Sequence, residues 1–192
     1  MIYKFEIIRK SIHFASALIA FVYLFFFVKE IAILIIGFLT CFMILAELLR
    51  MKVSFIRNLF STAFGKILRI HEDKRLTAAS WVFIGAFFTI LFFPKEVAVI
   101  SLLFMSIGDS CAALVGRKWG RTKIFGKTIE GSLAFLCSAI FVSLLYREIP
   151  YYSSFVGAFF ATITELLPFP LNDNITIPLV SGSSIMIVNS II

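Results

Sequence analysis

Between Gly116 and Ser132 the sequence reads GRKWGRTKIFGKTIEGS, which places five cationic side chains and four glycines in one short stretch. The Gly-Lys-Thr at 126–128 invites comparison with a nucleotide P-loop, which needs a glycine five positions before its Gly-Lys-Ser/Thr. That position is Arg121; Gly120 lies one residue too far away, and the preceding SLLFMSIGDSCAALV is a long apolar run, not a short strand. The P-loop reading fails. The raw chemistry remains: glycines let a backbone approach a ligand closely, and Arg and Lys neutralise phosphate charge. Carboxylates surround it in the chain. Asp109 sits in GDSC, Glu130 in GKTIEGS, and ELLPFPLNDN (165–174) carries Glu165, Asp173 and Asn174 but no cation. Hard oxygen donors of this kind suit Mg²⁺, which keeps waters and binds substrate phosphates.

Two more polar groups stand at the edges of apolar runs. RKSIH supplies Arg9, Lys10 and His13, with Arg9 and His13 four apart on one helix face. LTAASW supplies Thr77, Ser80 and Trp81. Each has a plainer role open to it. Asp109 could be a structural salt bridge, Glu130 a carboxylate at a helix N-terminus, Asp173 a cap, Trp81 an interface anchor, and Glu47 a helix-end partner of Arg50. Asp109 weighs most toward function, because a mid-membrane carboxylate costs about 2.5–3.5 kcal/mol on insertion scales. Gathered on one face, the set suits nucleotide phosphate chemistry with an acceptor drawn from the bilayer. Phosphoryl transfer needs mainly positioning and charge neutralisation.

The elements that must position these groups are membrane helices. Of 192 residues, 60% are hydrophobic and 15% charged, with 24 phenylalanines; that leaves too little polar surface for a water-facing globule. Apolar runs of spanning length predict an all-α, polytopic bundle of about seven helices. They lie over Ser11–Val28, Ile31–Leu49, Thr77–Phe93, Val97–Val115, Ser132–Tyr146, Tyr151–Leu167 and Ile175–Ile192. Residues Val53 to Ile70 show helical apolar spacing with interspersed cations, which predicts an amphipathic helix on the membrane surface. The chain reads as one integral unit, 1–192. An ASA triplet at 15–17 precedes most of the first apolar run, so that run is expected to be a retained helix and not a cleaved signal.

With seven spans, 15 of the 18 Lys and Arg fall on one side; only Lys29, Lys95 and Arg147 fall on the other. Cytoplasmic loops carry the excess of cations, so the amino terminus and the candidate site are expected on the cytoplasmic face. The net charge of +7 is therefore topological, and no nucleic-acid partner is expected. Cys41, Cys111 and Cys137 lie in separate apolar runs without metal spacing and read as free buried thiols.

Five segments in this order, RKSIH (9–13), LTAASWVFIG (76–85), GDSCAALVGRKWG (108–120), GKTIEGSLAF (126–135) and LPFPLNDNITIPL (167–179), resemble the membrane-embedded CTP-dependent lipid kinases. That family comprises dolichol kinase, phytol kinase and the fungal-type diacylglycerol kinase; phosphatidate cytidylyltransferases are more distantly similar. The resemblance implies transfer of the CTP γ-phosphate to a membrane lipid alcohol, with Mg²⁺ as cofactor. It implies catalytic roles for Asp109, Lys127 and Glu130, and metal ligation by Asp109, Glu130 and Asp173. The nucleotide site implied draws on Gly116, Arg117, Lys118, Gly120, Lys123, Gly126, Thr128, Ser132, Asp173, Asn174, Thr77, Arg9, Lys10 and His13. The extra amino-terminal helices of large dolichol kinases are missing, which turns the expectation toward a shorter prenol or diacylglycerol. A cytidylyltransferase and a small anionic-solute transporter are the rival readings. Oligomeric state stays open, a homodimer included.

Overall fold

Side-chain size decides which way these helices face. Small residues and single hydroxyls recur along each apolar run, and in lipid it is such residues that let helices approach and bond across their contact. The computed structural model describes residues 2–64 and 76–191. In it Ser80, Ser101, Ser106, Ser143, Ser153, Ser154 and Ser181 are fully buried. The large apolar side chains go outward: Phe25 (72% exposed), Phe26 (76%), Leu34 (72%) and Phe38 (71%) line the outer surface. In water this surface would be prohibitive. In a bilayer it is the solvent-facing side.

Helix α1 (Ile2–Ala15) and α2 (Ala17–Phe26) form one broken span, and α3 (Lys29–Lys52) returns. The amphipathic α4 (Ser54–Phe64) follows; the rest of that predicted helix, residues 65–70, lies outside the described residues. Next come α5 (Ala78–Phe92) and a long span made of α6 (Lys95–Leu103), a π-helical turn (Phe104–Gly108) and α7 (Asp109–Trp119). A two-stranded hairpin, β1 (Lys123–Ile124) and β2 (Lys127–Thr128), leads into α8 (Ile129–Leu145), and α9 (Tyr151–Leu166) and α10 (Asp173–Ile191) complete the bundle. Among the described residues, four stretches are long and apolar enough to cross a membrane: Ile8–Phe26, Lys29–Lys52, Lys95–Trp119 and Asp173–Ile191. Helices α5 and α8 are shorter apolar helices, and α9 spans 16 residues.

All seven predicted segments are present as helices, with two corrections. The first helix begins well before Ser11 and breaks at Ser16, whose amide and hydroxyl both donate to the His13 carbonyl (3.0 and 2.5 Å). The glycine-rich loop after the fourth segment contains a two-stranded hairpin. The cysteines are free, but Cys41 and Cys137 are exposed on the outer surface and not buried, because a thiol in an apolar run can face lipid as readily as protein.

The two ends of the bundle carry different groups. At one end Lys95 donates to the Phe27 carbonyl (2.9 Å) and stands 5.4 Å from the centre of the Tyr23 ring. The other end holds every candidate group described next.

Candidate functional site

The site grows from a break in helical phase. A π turn carries its hydrogen bonds one residue further than an α turn, which changes the direction of the side chains beyond it. Here the turn ends at Gly108 and turns Asp109 onto α1. Lys10 Nζ lies 2.5 Å from Asp109 Oδ2, and His13 Nε2 lies 3.0 Å from the same oxygen, at pairing distance though not aligned as a hydrogen bond. Only 15% of the Asp109 side chain is exposed. Hydroxyls fix the junction. Ser110 donates to the Ser106 carbonyl (2.7 Å), and Ser106 Oγ meets Ser16 Oγ (2.9 Å) at the break between α1 and α2. Just past the end of α1, the chain is therefore tied back at Ser16 to the helix that carries the carboxylate.

Glycines and Thr128 shape the next layer. A Cβ on Gly116 would stand 2.6 Å from Thr128 Oγ1, and one on Gly120 would stand 2.1 Å from the Gly116 carbonyl. The two glycines thus serve the tight contact of α7 with the start of α8. There Thr128 caps α8 by accepting from the Gly131 amide (3.2 Å). The hairpin turns on Phe125 (φ 49°) and Gly126 (φ 83°), with Lys123 opposite Thr128 and Ile124 opposite Lys127. Two positive φ angles are what a two-residue type I′ turn demands. Gly126 meets that demand freely, while the aromatic Phe125 holds a conformation uncommon for its type.

The turn delivers Lys127 to the α9–α10 junction. Its ammonium donates to the backbone carbonyl of Glu165, lies 2.9 Å from Asp173 Oδ2 and 3.6 Å from Glu165 Oε1. Ser132 donates to Glu165 Oε2 (2.8 Å). Glu165 is 5% exposed, so its charge depends on these partners. Asp109 is near enough for its charge to bear on both Glu165 and Asp173, and Lys10 on Asp173. The two ion clusters thus form one polar region inside the cation-rich end of the bundle.

Sequence reasoning gave Glu165 no role of its own and read Glu47 as a helix-end partner. Glu47, 2% exposed, does pair with Arg50 (2.7 Å to Nη2). It also accepts from the Thr77 hydroxyl (2.5 Å), the Thr77 amide (3.3 Å) and the Ser80 hydroxyl (3.3 Å), fixing the start of α5. Asn174 Nδ2 donates to the Ala78 carbonyl one residue on (3.2 Å). Thr77 and Asn174 are therefore spent on helix placement next to Asp173. Neither Glu165 nor Glu47 has a spacing signal; burial beside a lysine or a hydroxyl cluster is a tertiary property.

The remaining expected residues lie outside this cluster. Arg9 is half-buried on α1, while Arg117, Lys118 and Lys123 are exposed at the loop. Glu130 turns away from the other carboxylates, and both its oxygens face the Thr122 amide (3.2 and 3.3 Å). It borders a cleft of about 440 Å³ together with Lys118, Trp119, Gly120 and Arg121. Among the described residues no three of His, Cys, Asp and Glu are grouped as a metal site, so Asp109, Glu130 and Asp173 are not gathered as a trio.

Comparison with known proteins finds relatives along nearly the whole chain. The chain is 35% identical to an uncharacterised protein of Rickettsia prowazekii, over 92% of this chain and 91% of that one. It is 29% identical to the CTP-dependent diacylglycerol kinase 1 of Schizosaccharomyces pombe, over 93% and 91%. It is 34% identical to the chloroplastic phytol kinase 1 of Arabidopsis thaliana over 56% of this chain and 42% of the relative. No family profile matches, and no solved structure matches. With the diacylglycerol kinase aligned along almost its whole length and the phytol kinase over about half of it, the chain is a homologue of the CTP-dependent membrane lipid kinases.

Proposed function

We propose that the protein transfers the γ-phosphate of CTP to the hydroxyl of a membrane lipid, on the cytoplasmic face. The observation that carries this reading is Lys127. A glycine-bearing hairpin, rich in cations, inserts its one inward lysine between two carboxylates at a membrane-helix junction. The same end of the bundle holds Lys10 and His13 on Asp109. The names of relatives, a CTP-dependent diacylglycerol kinase along nearly the whole chain and a phytol kinase over about half of it, support CTP as donor and a lipid alcohol as acceptor. In the reaction the lipid hydroxyl oxygen bonds to the γ-phosphorus and gives up its proton to solvent, the bridge to the β-phosphate breaks, and CDP leaves. Lys127 and Lys10 hold phosphate oxygens. Asp173, Glu165 and Asp109 hold those ammonium groups in place before the nucleotide arrives, which is the preorganisation this chemistry needs.

Mg²⁺ fits the donor set in a limited form. Mg²⁺ is commonly bound through one or two carboxylates plus substrate phosphates, and Asp109 and Asp173 are two carboxylates near enough for the charge of one to bear on the other. When bound there it would neutralise charge on the phosphates. Glu130 is directed elsewhere and is not assigned to it.

The test is direct. Purified protein is incubated with γ-labelled CTP and, separately, diacylglycerol, phytol-like prenols and polyprenols. Label should appear on one lipid class. Release of pyrophosphate with a lipid phosphate as acceptor would overturn the kinase reading in favour of cytidylyl transfer.

A further inference from the structure

Large side chains project from the lipid-facing surface, but between α9 and α10 that surface is hollowed by a groove of about 470 Å³. Val156 and Phe160 from α9 and Val180, Ser183, Ser184 and Ile187 from α10 line it. Phe160 (43% exposed) and Ile187 (59%) stand up as its walls, while Val180 and Ser184 are half-buried between them. The Ser184 hydroxyl donates to the Val180 carbonyl (2.8 Å), so it needs no partner from an occupant. The position of the groove ties it to the ion cluster. α9 ends beside Glu165 and α10 begins at Asp173, the two carboxylates that hold Lys127. The Glu165 side chain is 7% exposed, whereas those of Lys127 and Asp173 are 29% and 32% exposed. The cluster therefore opens at its Lys127–Asp173 edge. Asp173, Val180, Ser184 and Ile187 fall at i, i+7, i+11 and i+14, one stripe of α10. At 1.5 Å per residue, Val180 lies about 10 Å and Ile187 about 21 Å along the helix from Asp173, within the span of a hydrocarbon core about 30 Å thick. One helix face thus runs from the open edge of the cluster into the groove.

We infer that this groove holds a hydrocarbon chain of the acceptor lipid and so seats the lipid hydroxyl at the Lys127–Asp173 edge. The inference rests on the kinase reading above. Bulk lipid is as apolar as the groove, so entry brings no hydrophobic gain. What the groove adds is close packing along one side of the chain, and through it the orientation of the hydroxyl, which is where positioning lowers a barrier. Only a chain that extends past about 10 Å from the site reaches Val180 and Ser184. The groove therefore selects acceptors by chain length, while the ion cluster deals with the phosphate.

The experiment compares short and long acceptors in detergent: dihexanoylglycerol against dioleoylglycerol, or dimethylallyl alcohol against phytol, whichever class takes label. Ser184→Phe fills the groove from α10 and Val156→Phe fills it from α9; both side chains face lipid, where a larger ring can be accommodated. In either variant the long-to-short ratio of kcat/KM should fall by about tenfold, with KM for CTP unchanged. Partition of each acceptor into detergent is the same for all enzymes, so the change in ratio isolates the groove. A folded variant that keeps the wild-type ratio overturns the inference, and so does one that loses turnover equally with both chain lengths. Photolabelling gives a readout that needs no turnover. A diacylglycerol and a phytol-like prenol, each with a diazirine at the end of its chain, are irradiated with the purified protein. One of them should label the α9–α10 peptides, be displaced by its unlabelled parent alcohol, and label Ser184→Phe weakly. Equal labelling of all lipid-facing helices, or equal displacement by phosphatidylcholine, overturns the inference. Alcohol-specific labelling of the groove in wild type, with no lipid phosphorylated from CTP, would leave the chain site standing and end the kinase reading.

Discussion

Lys127 offers the sharpest test, because its two possible roles predict opposite outcomes in a double variant. In Lys127→Met the stem is kept and the ammonium removed. Glu165 and Asp173 then lose their shared cation, and Glu165 is left in a nearly closed site with Ser132 as its remaining side-chain partner. Breaking a fully buried ion pair costs about 3–5 kcal/mol. Here the Lys127 and Asp173 side chains are 29% and 32% exposed, and exposed pairs contribute only about 0–1 kcal/mol. The expected loss lies between, about 1–3 kcal/mol. A chain of this size shifts by roughly 2–4 °C per kcal/mol, so Tm in detergent should fall by several degrees. Turnover should fall by at least a hundredfold. Adding Glu165→Gln removes the stranded charge. Stability should return toward wild type, because the neutral amide can still bond to Ser132. Activity should stay lost, because no cation meets the phosphate. Thermal melts and labelled-CTP turnover on wild type, Lys127→Met and the double variant decide the matter. A Lys127→Met/Glu165→Gln protein that recovers both stability and turnover would show that Lys127 is only a counter-ion.

Other consequences follow from neighbouring contacts. Asp109→Asn should lower Tm, because Lys10 and His13 lose their shared charge. It should also cut the specific activity of the folded fraction by two orders of magnitude or more; a destabilised protein with normal specific activity would make Asp109 purely structural. Glu47→Gln should destabilise more than Arg57→Ala on the exposed α4, because Glu47 and Arg50 are both 2% exposed and loss of a buried partner is the costlier event; equal Tm values would refute this. Gly116→Ala should weaken CTP binding along with stability, since the new methyl meets Thr128 Oγ1 at the α8 cap, and the test is CTP KM beside Tm. Single cysteines placed at positions 125 and 148 should label from opposite sides of sealed vesicles; labelling from one side would discard the topology.

Much of this protein is legible in the chain because the bilayer constrains it so strongly. Runs of about 20 apolar residues must become helices, since no other open structure satisfies backbone hydrogen bonds in lipid. The cation split then orders the ends. Asp109 and Lys127 could be selected because charge at an apolar boundary is costly and needs a reason. What the chain could not disclose is the partner of each charge. Asp109 meets Lys10 across 99 positions, and Lys127 meets Asp173 across 46. Such pairs are made by helix packing and by the phase change of a π turn, neither of which leaves a periodic trace. The same holds for the glycines. Their abundance suggested phosphate contact, yet Gly116 and Gly120 are placed where α7 and α8 press on Thr128. Glu130 shows the limit most clearly: proximity in sequence to Lys127 suggested shared chemistry, but successive residues at the start of a helix point in different directions. The fold sends Lys127 inward to the carboxylates and Glu130 to the cleft beside Trp119.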